Sequence, residues 1–224
     1  LAREVSAATL DTAPTNYRPA GFAVFPGDPV EAWVGHQVYV WDDVTPDFEL
    51  RGTQPLSSGQ IARNGVQYKG SVYCPVWTAS TDAPARFVKK ATTGNTWAVG
   101  GAAADTFKYA AVANDTFWTG HWGSGSEATV KTTTDPSAGT ITWTTYTVGE
   151  TSAPITGLVA RGDTMLVLKT NGVWAIFPNG RIRNLTPQFE AQANTDNFRF
   201  SFQWNGHILL PLGTGGLVDL IGDE

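Results

Sequence analysis

The sequence contains little cysteine and little charge, and it has no long hydrophobic run. A single cysteine, Cys74, excludes an internal disulfide framework. Charged residues make up 16% of the chain, well below the average for globular domains. The net charge of −5 gives no electrostatic reason to expect a nucleic-acid partner. No apolar run approaches the roughly 20 residues that a membrane-spanning helix needs, so we do not expect membrane insertion.

Residue patterns that mark metal or nucleophile chemistry are also missing. The three histidines, His36, His121 and His207, are widely separated, and their spacing is not typical of a metal site. Cys74 lies in an apolar run without a neighbouring histidine, which is typical of a small buried hydrophobic residue. The Gly-x-Ser-x-Gly motif of a hydrolase nucleophile is absent. We therefore predict no catalytic residue, no metal site and no cofactor.

Glycine, proline and tryptophan, in contrast, are abundant. The chain has 24 glycines, 13 prolines and 9 tryptophans among 224 residues. This mixture is typical of many short strands joined by tight turns, and a chain of this length can form a single all-β domain.

A strand-and-turn pattern occurs twice in the last third of the chain. The first copy, ITGLVARGDTMLVLKTNGVWAIF, runs from Ile155 to Phe177, and the second runs from Phe198 to Ile221. Both have an apolar run, a turn pair (Gly162-Asp163 or Asn205-Gly206), a second apolar run and a glycine-centred turn. Such turn pairs connect antiparallel neighbours, so each copy predicts a β-meander.

Similar patterns occur earlier in the chain. The second strand of each repeat is predicted to begin near Val38, Ser71, Thr116, Met165 and Ile208. The spacings of about 33, 45, 49 and 43 residues are close to the length of a propeller blade. We predict an all-β fold, a β-propeller of about five four-stranded blades, with a β-sandwich as the alternative.

We predict two regions, an N-terminal arm or strap over residues 1–29 and propeller blades over residues 30–224. The arm includes a short candidate strand, Phe22 to Phe25, and a proline-containing loop with Pro46 and Pro55 separates the first two repeats. The fifth repeat ends one strand short. We expect it to continue into further blades of a larger propeller, so that this chain alone would be poorly soluble or oligomeric. The alternative is that residues 22–25 supply the missing strand.

The segment PITGLVARGDTMLVLKTNGVWAIFPNGRIRNLTP, which begins at Pro154, resembles repeats in propeller-bearing virion proteins of tailed bacteriophages. The resemblance is clearest from Pro154 to Leu220. It implies a structural component of a tail, baseplate or fibre that acts by protein–protein assembly in the virion particle. The implied partners are other virion proteins and copies of the chain itself, with a host-surface glycan as a further partner.

A second resemblance concerns residues 133–143, TTDPSAGTITW, which are similar to a lengthened Asp box of sialidase-like propellers. In that motif the aspartate, here Asp135, bonds backbone amides of its own turn. This role is structural, so Asp135 is not a catalytic candidate. A sialidase also needs an arginine cluster for the carboxylate of its substrate, and the arginines of this sequence show no matching arrangement.

Other acidic residues give only a weak argument for activity. Asp42 and Asp43 follow a predicted strand, and together with Asp47 they offer oxygen ligands of the kind that Ca²⁺ prefers, but without EF-hand spacing. Glycoside hydrolysis needs two carboxyl groups about 5–10 Å apart, a separation that no sequence motif here establishes.

Aromatic residues are the better candidates for a contact surface. Trp118, His121 and Trp122 cluster in WTGHWGSGS, and tryptophan faces can stack on sugar rings, although packing between blades is the commoner use. We therefore predict a non-enzymatic phage virion protein. The alternative is a carbohydrate-binding or glycan-hydrolysing β-propeller.

Overall fold

Short antiparallel strands joined by tight turns form most of the described chain. The computed structural model describes residues 19–23, 29–51, 54–63, 65–78, 80–81, 83–91, 96–121, 125 and 127–220. Within these ranges the strands form five sheets, three with four strands, one with five and one with three. The helix there is a short 3-10 segment, Pro187–Gln192. The prediction of an all-β fold is confirmed. The chain divides into two compact units, residues 1–106 and 107–224.

The first sheet has the strand order β1-β2-β3-β4. Its strands are β1 (Pro19–Ala23), β2 (Glu31–Val34), β3 (Gln37–Asp42) and β4 (Asp47–Leu50). Two sequence predictions are corrected here. The predicted arm contains β1, which pairs with β2 and so belongs to the first sheet. The proline-containing loop contains β4, which pairs with β3. Residues 1–18 and 24–28 lie outside the described part of the chain.

The second sheet contains five strands, two of which share one partner. They are β5 (Gln60–Ala62), β6 (Val66–Tyr68), β7 (Ser71–Thr78), β8 (Ala83–Ala91) and β9 (Ala98–Val99). Strands β5 and β6 both pair with the long strand β7. The sequence pattern predicted β6 to β9 and missed β5, which has only three residues and no apolar alternation.

The core of the first unit lies among side chains of these two sheets. Its buried members include Trp33, Val38, Val72, Val88 and Trp97. The rings of Trp33 and Trp97 meet edge to face, with their centroids 5.1 Å apart. Aromatic pairs prefer this geometry because the positive edge of one ring meets the negative face of the other.

The third sheet has the order β10-β11-β12-β13. Its strands are β10 (Tyr109–Ala113), β11 (Thr116–Gly120), β12 (Thr129–Thr133) and β13 (Thr144–Thr147). The turn from β10 to β11 contains Asn114 and Asp115, both with a φ of 48°, a conformation that Asn and Asp tolerate better than other non-glycine residues. The strand predicted from Thr140 to Val148 is shorter than expected, because residues 140–143 are irregular.

The last two sheets correspond to the two copies of the sequence pattern. The fourth sheet contains β14 (Ile155–Arg161), β15 (Thr164–Lys169), β16 (Gly172–Ile176) and β17 (Ile182–Asn184). The fifth contains β18 (Phe202–Trp204), β19 (His207–Pro211) and β20 (Leu217–Leu220). Each tight turn joins antiparallel neighbours, as predicted.

Strand β15 contributes to two hydrophobic clusters, one on each face of its sheet. Met165 and Val167 belong to a cluster with residues of the third sheet, while Leu166 and Leu168 belong to a cluster with residues of the fifth. This alternation explains why β15 is a continuous apolar run, since both of its faces are covered. We expect the apolar runs of the two copies to supply the core at Ile155, Leu158, Val167, Trp174, Ile208 and Leu210. All of these side chains are buried except that of Leu158, which is half-buried.

Candidate functional site

A cleft of about 530 Å³ beside the third sheet is the strongest candidate site. Threonine is its most frequent lining residue: Thr116, Thr132, Thr133, Thr134, Thr140, Thr142 and Thr144. The side chains of Asn114, Asp135 and Asp163 add amide and carboxylate groups. Its lining residues include no lysine, arginine or histidine. The cleft is therefore rich in neutral hydrogen-bonding groups.

Strand alternation and pairing place three of these threonines, Thr116, Thr132 and Thr144, on one face. Trp118 of β11 pairs with Thr132 of β12, and Thr132 pairs with Thr144 of β13. Directly paired residues project from the same face of an antiparallel sheet, and residues two apart in a strand share a face. Tyr146 therefore lies on the cleft face with Thr144, whereas Thr145 and Thr147 project from the opposite face.

Two turns of the fourth sheet form the other wall of the cleft. Asp163 lies in the turn from β14 to β15, and Phe177 and Pro178 follow β16. Gly180, in the same turn as Pro178, comes close to the cleft face. A Cβ atom added to it would lie 4.0 Å from Cε1 of Tyr146. The cleft thus lies between neighbouring sheets of one unit.

An aromatic stack lines one side of this cleft. The rings of Trp118 and Tyr146 are nearly parallel, 23° apart, with centroids separated by 5.7 Å. Trp118 is buried and donates a hydrogen bond of 3.3 Å from Nε1 to the carbonyl oxygen of Ala113, while Tyr146 is half-buried. The tryptophan therefore holds the tyrosine in place, and the tyrosine is the more accessible of the two.

Asp135 occupies the turn between β12 and β13, as the resemblance to an Asp box implied. Its Oδ1 accepts hydrogen bonds from the backbone N–H (3.1 Å) and the hydroxyl (2.8 Å) of Ser137. Thr133 accepts a 3.1 Å bond from the backbone N–H of Asp135. These contacts order the loop that lines the cleft, which is a positioning role of the kind expected for an aspartate in a turn.

The structure separates the aromatic cluster predicted from the sequence. Trp118 lines the cleft, but His121 is buried and does not, and Trp122 lies outside the described residues. A glycan contact at Trp118 stays a prediction. Seven threonines line the cleft, and none of them was predicted to have a role. Their high frequency between residues 129 and 147 was the available signal.

The acidic residues near the first sheet form local hydrogen bonds. Oδ1 of Asp42 accepts a bond of 2.8 Å from the backbone N–H of Val44, and Oδ1 of Asp43 accepts one of 2.7 Å from Nε1 of Trp41. Such bonds stabilise a turn. No group of three or more His, Cys, Asp or Glu side chains that could hold a metal ion occurs within the described ranges. No helix in those ranges has the length and apolarity to cross a membrane.

The remaining candidates from the sequence are distributed over the fold. His36 lies in the turn from β2 to β3, and Nδ1 of His207 lies 2.7 Å from Oδ2 of Asp219 on the neighbouring strand. Cys74 is fully buried in β7, and burial raises the pKa of its thiol. A buried thiol of this kind is a poor nucleophile, because the thiolate is the reactive form.

A buried ionic cluster that the sequence did not predict lies in the first unit. Glu31 of β2 is fully buried, and its Oε1 accepts a hydrogen bond of 3.0 Å from Nζ of Lys90 in β8. Arg51 also forms an ion pair with Glu31, and Nε1 of Trp97 donates a 2.5 Å bond to Oε2. A buried carboxylate needs such partners, because desolvation of an unpaired charge is very unfavourable. The ion pair between Glu31 and Lys90 therefore connects the first sheet to the second.

A second buried charge, Lys169 of β15, lies in the other unit. Its Nζ donates hydrogen bonds to the carbonyl oxygens of Val148 and Glu150, and it lies 5.3 Å from the ring centroid of Trp174. Burial lowers the pKa of Lys169 to about 8, while the charges of Glu150 and Glu127 act in the opposite direction. The buried ammonium group connects β15 to the loop that follows β13.

We expect Lys169 to make stability increase with pH in the alkaline range. The pKa of its side chain is lowered by folding from 10.5 to about 8, so between these values the unfolded chain binds more protons than the native chain. The free energy of unfolding should therefore rise over that interval relative to a Lys169→Met variant. Urea unfolding of both proteins from neutral to alkaline pH measures the difference. Parallel pH profiles would contradict this prediction.

Comparison with solved structures assigns the overall fold. Virginiamycin B lyase from Staphylococcus aureus matches with a TM-score of 0.65 at 10% identity, over 93% of this chain and 67% of that one. A GH74 enzyme from Niastella koreensis matches with a TM-score of 0.60 at 14% identity, over 90% of this chain and 28% of that one. The extracellular domain of a B. thetaiotaomicron protein described as a one-component system gives 0.59 at 14% identity, over 91% and 27%. No family model matches the sequence, and no curated protein matches it.

These structural neighbours are β-propeller proteins, and the chain has an all-β, propeller-type fold. The prediction of a β-propeller is therefore confirmed in preference to the β-sandwich, while the number of blades stays a prediction. Structural similarity at 10–14% sequence identity establishes the fold alone, so the function has to be argued from the site. The propeller part of the resemblance to phage proteins is supported, and its virion part stays a prediction.

Proposed function

We propose that this chain is a non-catalytic carbohydrate-binding β-propeller and that the threonine-lined cleft is its binding site. The observation that carries this proposal is the combination of seven threonine hydroxyls with Trp118, Tyr146 and Phe177 around about 530 Å³. Hydroxyl groups both donate and accept hydrogen bonds, as sugar hydroxyls do. Aromatic rings provide the apolar surface that a sugar ring can stack against. A hydroxyl-rich cleft with aromatic walls and no cationic lining residue suits a polysaccharide better than a lipid or a nucleic acid.

The neighbours are compatible with this proposal without deciding between binding and catalysis. They include a lyase and a GH74 enzyme, so the fold supports catalysis in other proteins. In this cleft, however, both carboxylates accept hydrogen bonds within their own turns. Asp135 accepts bonds from Ser137, and Asp163 accepts one of 3.3 Å from the hydroxyl of Thr164. These bonds favour structural roles, so we propose binding without bond cleavage.

Removal of two cleft hydroxyls should weaken polysaccharide binding. We expect a Thr142→Val, Thr144→Val double variant to bind about 30-fold more weakly, because each of the two lost hydrogen bonds contributes about 1 kcal/mol. The matched control is Thr145→Val, Thr147→Val, which makes the same changes to exposed residues that do not line the cleft. Affinity electrophoresis through gels containing dextran, starch, xylan, polygalacturonate or chondroitin sulfate measures the retardation of each protein.

Two outcomes would contradict the proposal. One is that wild-type protein is not retarded by any of these polymers, and the other is that the cleft and control variants are retarded equally. The non-catalytic part is tested separately by incubating the protein with the same polymers and measuring new reducing ends. Sustained release of reducing ends that Asp163→Asn or Asp135→Asn abolishes would replace a binding function with a hydrolase function.

Assembly in a phage virion is a second candidate function. The observation that favours it is the exposure of large apolar side chains in and beside the fifth sheet, where Phe200 is 76% exposed, Trp204 66% and Leu217 57%. Exposed apolar groups of this size are typical of surfaces that bind other proteins. The virion location and the virion partners stay predictions. The position of the chain in an intact particle tests them, and absence of the chain from purified particles would contradict them.

A further inference from the structure

A second cleft, of about 350 Å³, lies against the fourth sheet and is lined by three arginines. Arg161, Arg181 and Arg183 surround a floor that includes the buried side chains of Leu166 and Ala175. No sialidase-like arrangement of arginines was expected from the sequence, and Arg161 joins Arg181 and Arg183 only in the folded chain. We call this cleft the arginine cleft.

Strand pairing places the arginines on one face. Ala175 of β16 pairs with Leu166 of β15 on one side and with Arg183 of β17 on the other. Paired residues share a face, so Arg183 extends from the same face as the apolar floor. Arg161 ends β14, and Cζ of Arg181 lies 5.0 Å from the ring centroid of Phe177. This cation–π contact fixes one guanidinium group at the rim of the cleft.

The charge of the arginine cleft is not neutralised locally. Its lining residues include no aspartate or glutamate. Among the described residues, no ion pair within 4.0 Å connects any of the three arginines to a carboxylate. Convergence of three cations without a counterion is unfavourable in the free protein. It becomes favourable when an anion binds, and guanidinium groups match the geometry of planar or tetrahedral oxyanions.

The arginine cleft and the threonine-lined cleft lie on opposite faces of the fourth sheet and approach each other at its edge, where Phe177 lines both of them. The turn from Arg161 to Thr164 is likewise shared. Asp163 faces the threonine-lined cleft, whereas Arg161 and Thr164 line the arginine cleft. A polymer that crossed this turn would meet hydroxyl groups on one side and guanidinium groups on the other.

We infer that the arginine cleft binds carboxylate or sulfate groups of an acidic polysaccharide whose neighbouring sugar units occupy the threonine-lined cleft. This inference rests on the proposed carbohydrate-binding function and specifies its ligand class. A protein with a net charge of −5 would otherwise repel such a polymer, so a local cluster of arginines is needed to hold it. Binding should therefore depend on salt, because screening weakens the attraction between guanidinium groups and an exposed anion.

The test compares two charge-matched double variants. Arg181→Gln, Arg183→Gln removes two cleft arginines, and Lys89→Gln, Lys131→Gln removes two cations that do not line the cleft. Affinity electrophoresis with chondroitin sulfate and polygalacturonate should show binding about tenfold weaker for the arginine variant and unchanged for the lysine variant. Raising NaCl from about 50 mM to about 500 mM should weaken binding by wild-type protein and affect the arginine variant much less. Thermal unfolding of each variant reports whether the substitutions leave the fold intact.

Several outcomes would overturn the inference. Equal retardation of wild-type protein and the arginine variant by both acidic polymers would show that the arginines do not contact the ligand. Equal losses of binding in the two double variants would show that net charge, and not the arginine cleft, determines the affinity. Stronger binding to a DNA duplex than to either acidic polymer would assign the cleft to another ligand class. If the wild-type protein still binds dextran, starch or xylan in any of these cases, the proposed carbohydrate-binding function stands. The threonine variant tests that function independently, because it should lose this binding.

Discussion

Replacement of Glu31 by glutamine is expected to lower the free energy of unfolding by about 3–5 kcal/mol, because it leaves the Lys90 charge buried without its carboxylate. Glu31 is fully buried, and the Lys90 side chain is only 1% exposed. Glutamine has nearly the same shape, so the loss measures charge and not packing. The matched control is Glu49→Gln on β4 of the same sheet, where the side chain is exposed and the expected change is below about 0.5 kcal/mol.

Urea unfolding followed by tryptophan fluorescence measures both variants, since the indole groups of Trp33 and Trp97 lie in the core of the same unit. A Glu31→Gln, Lys90→Met double variant should recover part of the loss, because it removes the uncompensated ammonium group. Equal stability of the Glu31→Gln and Glu49→Gln variants would show that the Glu31 cluster is solvated in solution and does not connect the two sheets.

Truncation of Leu210 to alanine should cost about 2–5 kcal/mol, because it leaves a cavity in the cluster beneath the fifth sheet. Leu210 is fully buried on β19, and it pairs with Val218 of β20. The control is Leu217→Ala on β20, where the same atoms are removed from a side chain that is 57% exposed. The control should change stability by less than about 0.5 kcal/mol. A loss at Leu210 no larger than that at Leu217 would mean that the fifth sheet does not pack as described.

The positions of the strands and turns could be predicted from the sequence because they depend on local residue types. The second strands of the five repeats begin within one residue of the predicted positions, at Gln37, Ser71, Thr116, Thr164 and His207. Turn pairs such as Asn205-Gly206 adopt positive φ angles of 49° and 80°, which few residue types tolerate. Residue type alone therefore marks the turns, and alternation between turns marks the buried faces.

The features that the sequence did not reveal depend on contacts between distant segments. Strands β4 and β5 are short, and neighbouring strands rather than their own patterns determine them. Glu31 and Lys90 are 59 positions apart, and nothing in their local sequence distinguishes them from exposed charges. The same holds for the two clefts. The lining residues of each cleft come together only after strand pairing fixes the register.

The position of a bound oligosaccharide tests the central proposal most directly. A crystal structure of the full chain with a fragment of the polymer that retards it most strongly would locate that ligand. We expect sugar rings against Tyr146 and Phe177, with hydrogen bonds to the hydroxyls of Thr142 and Thr144, and with any acidic group beside Arg181. An oligosaccharide bound at another surface, with the threonine-lined cleft empty, would contradict the proposed function.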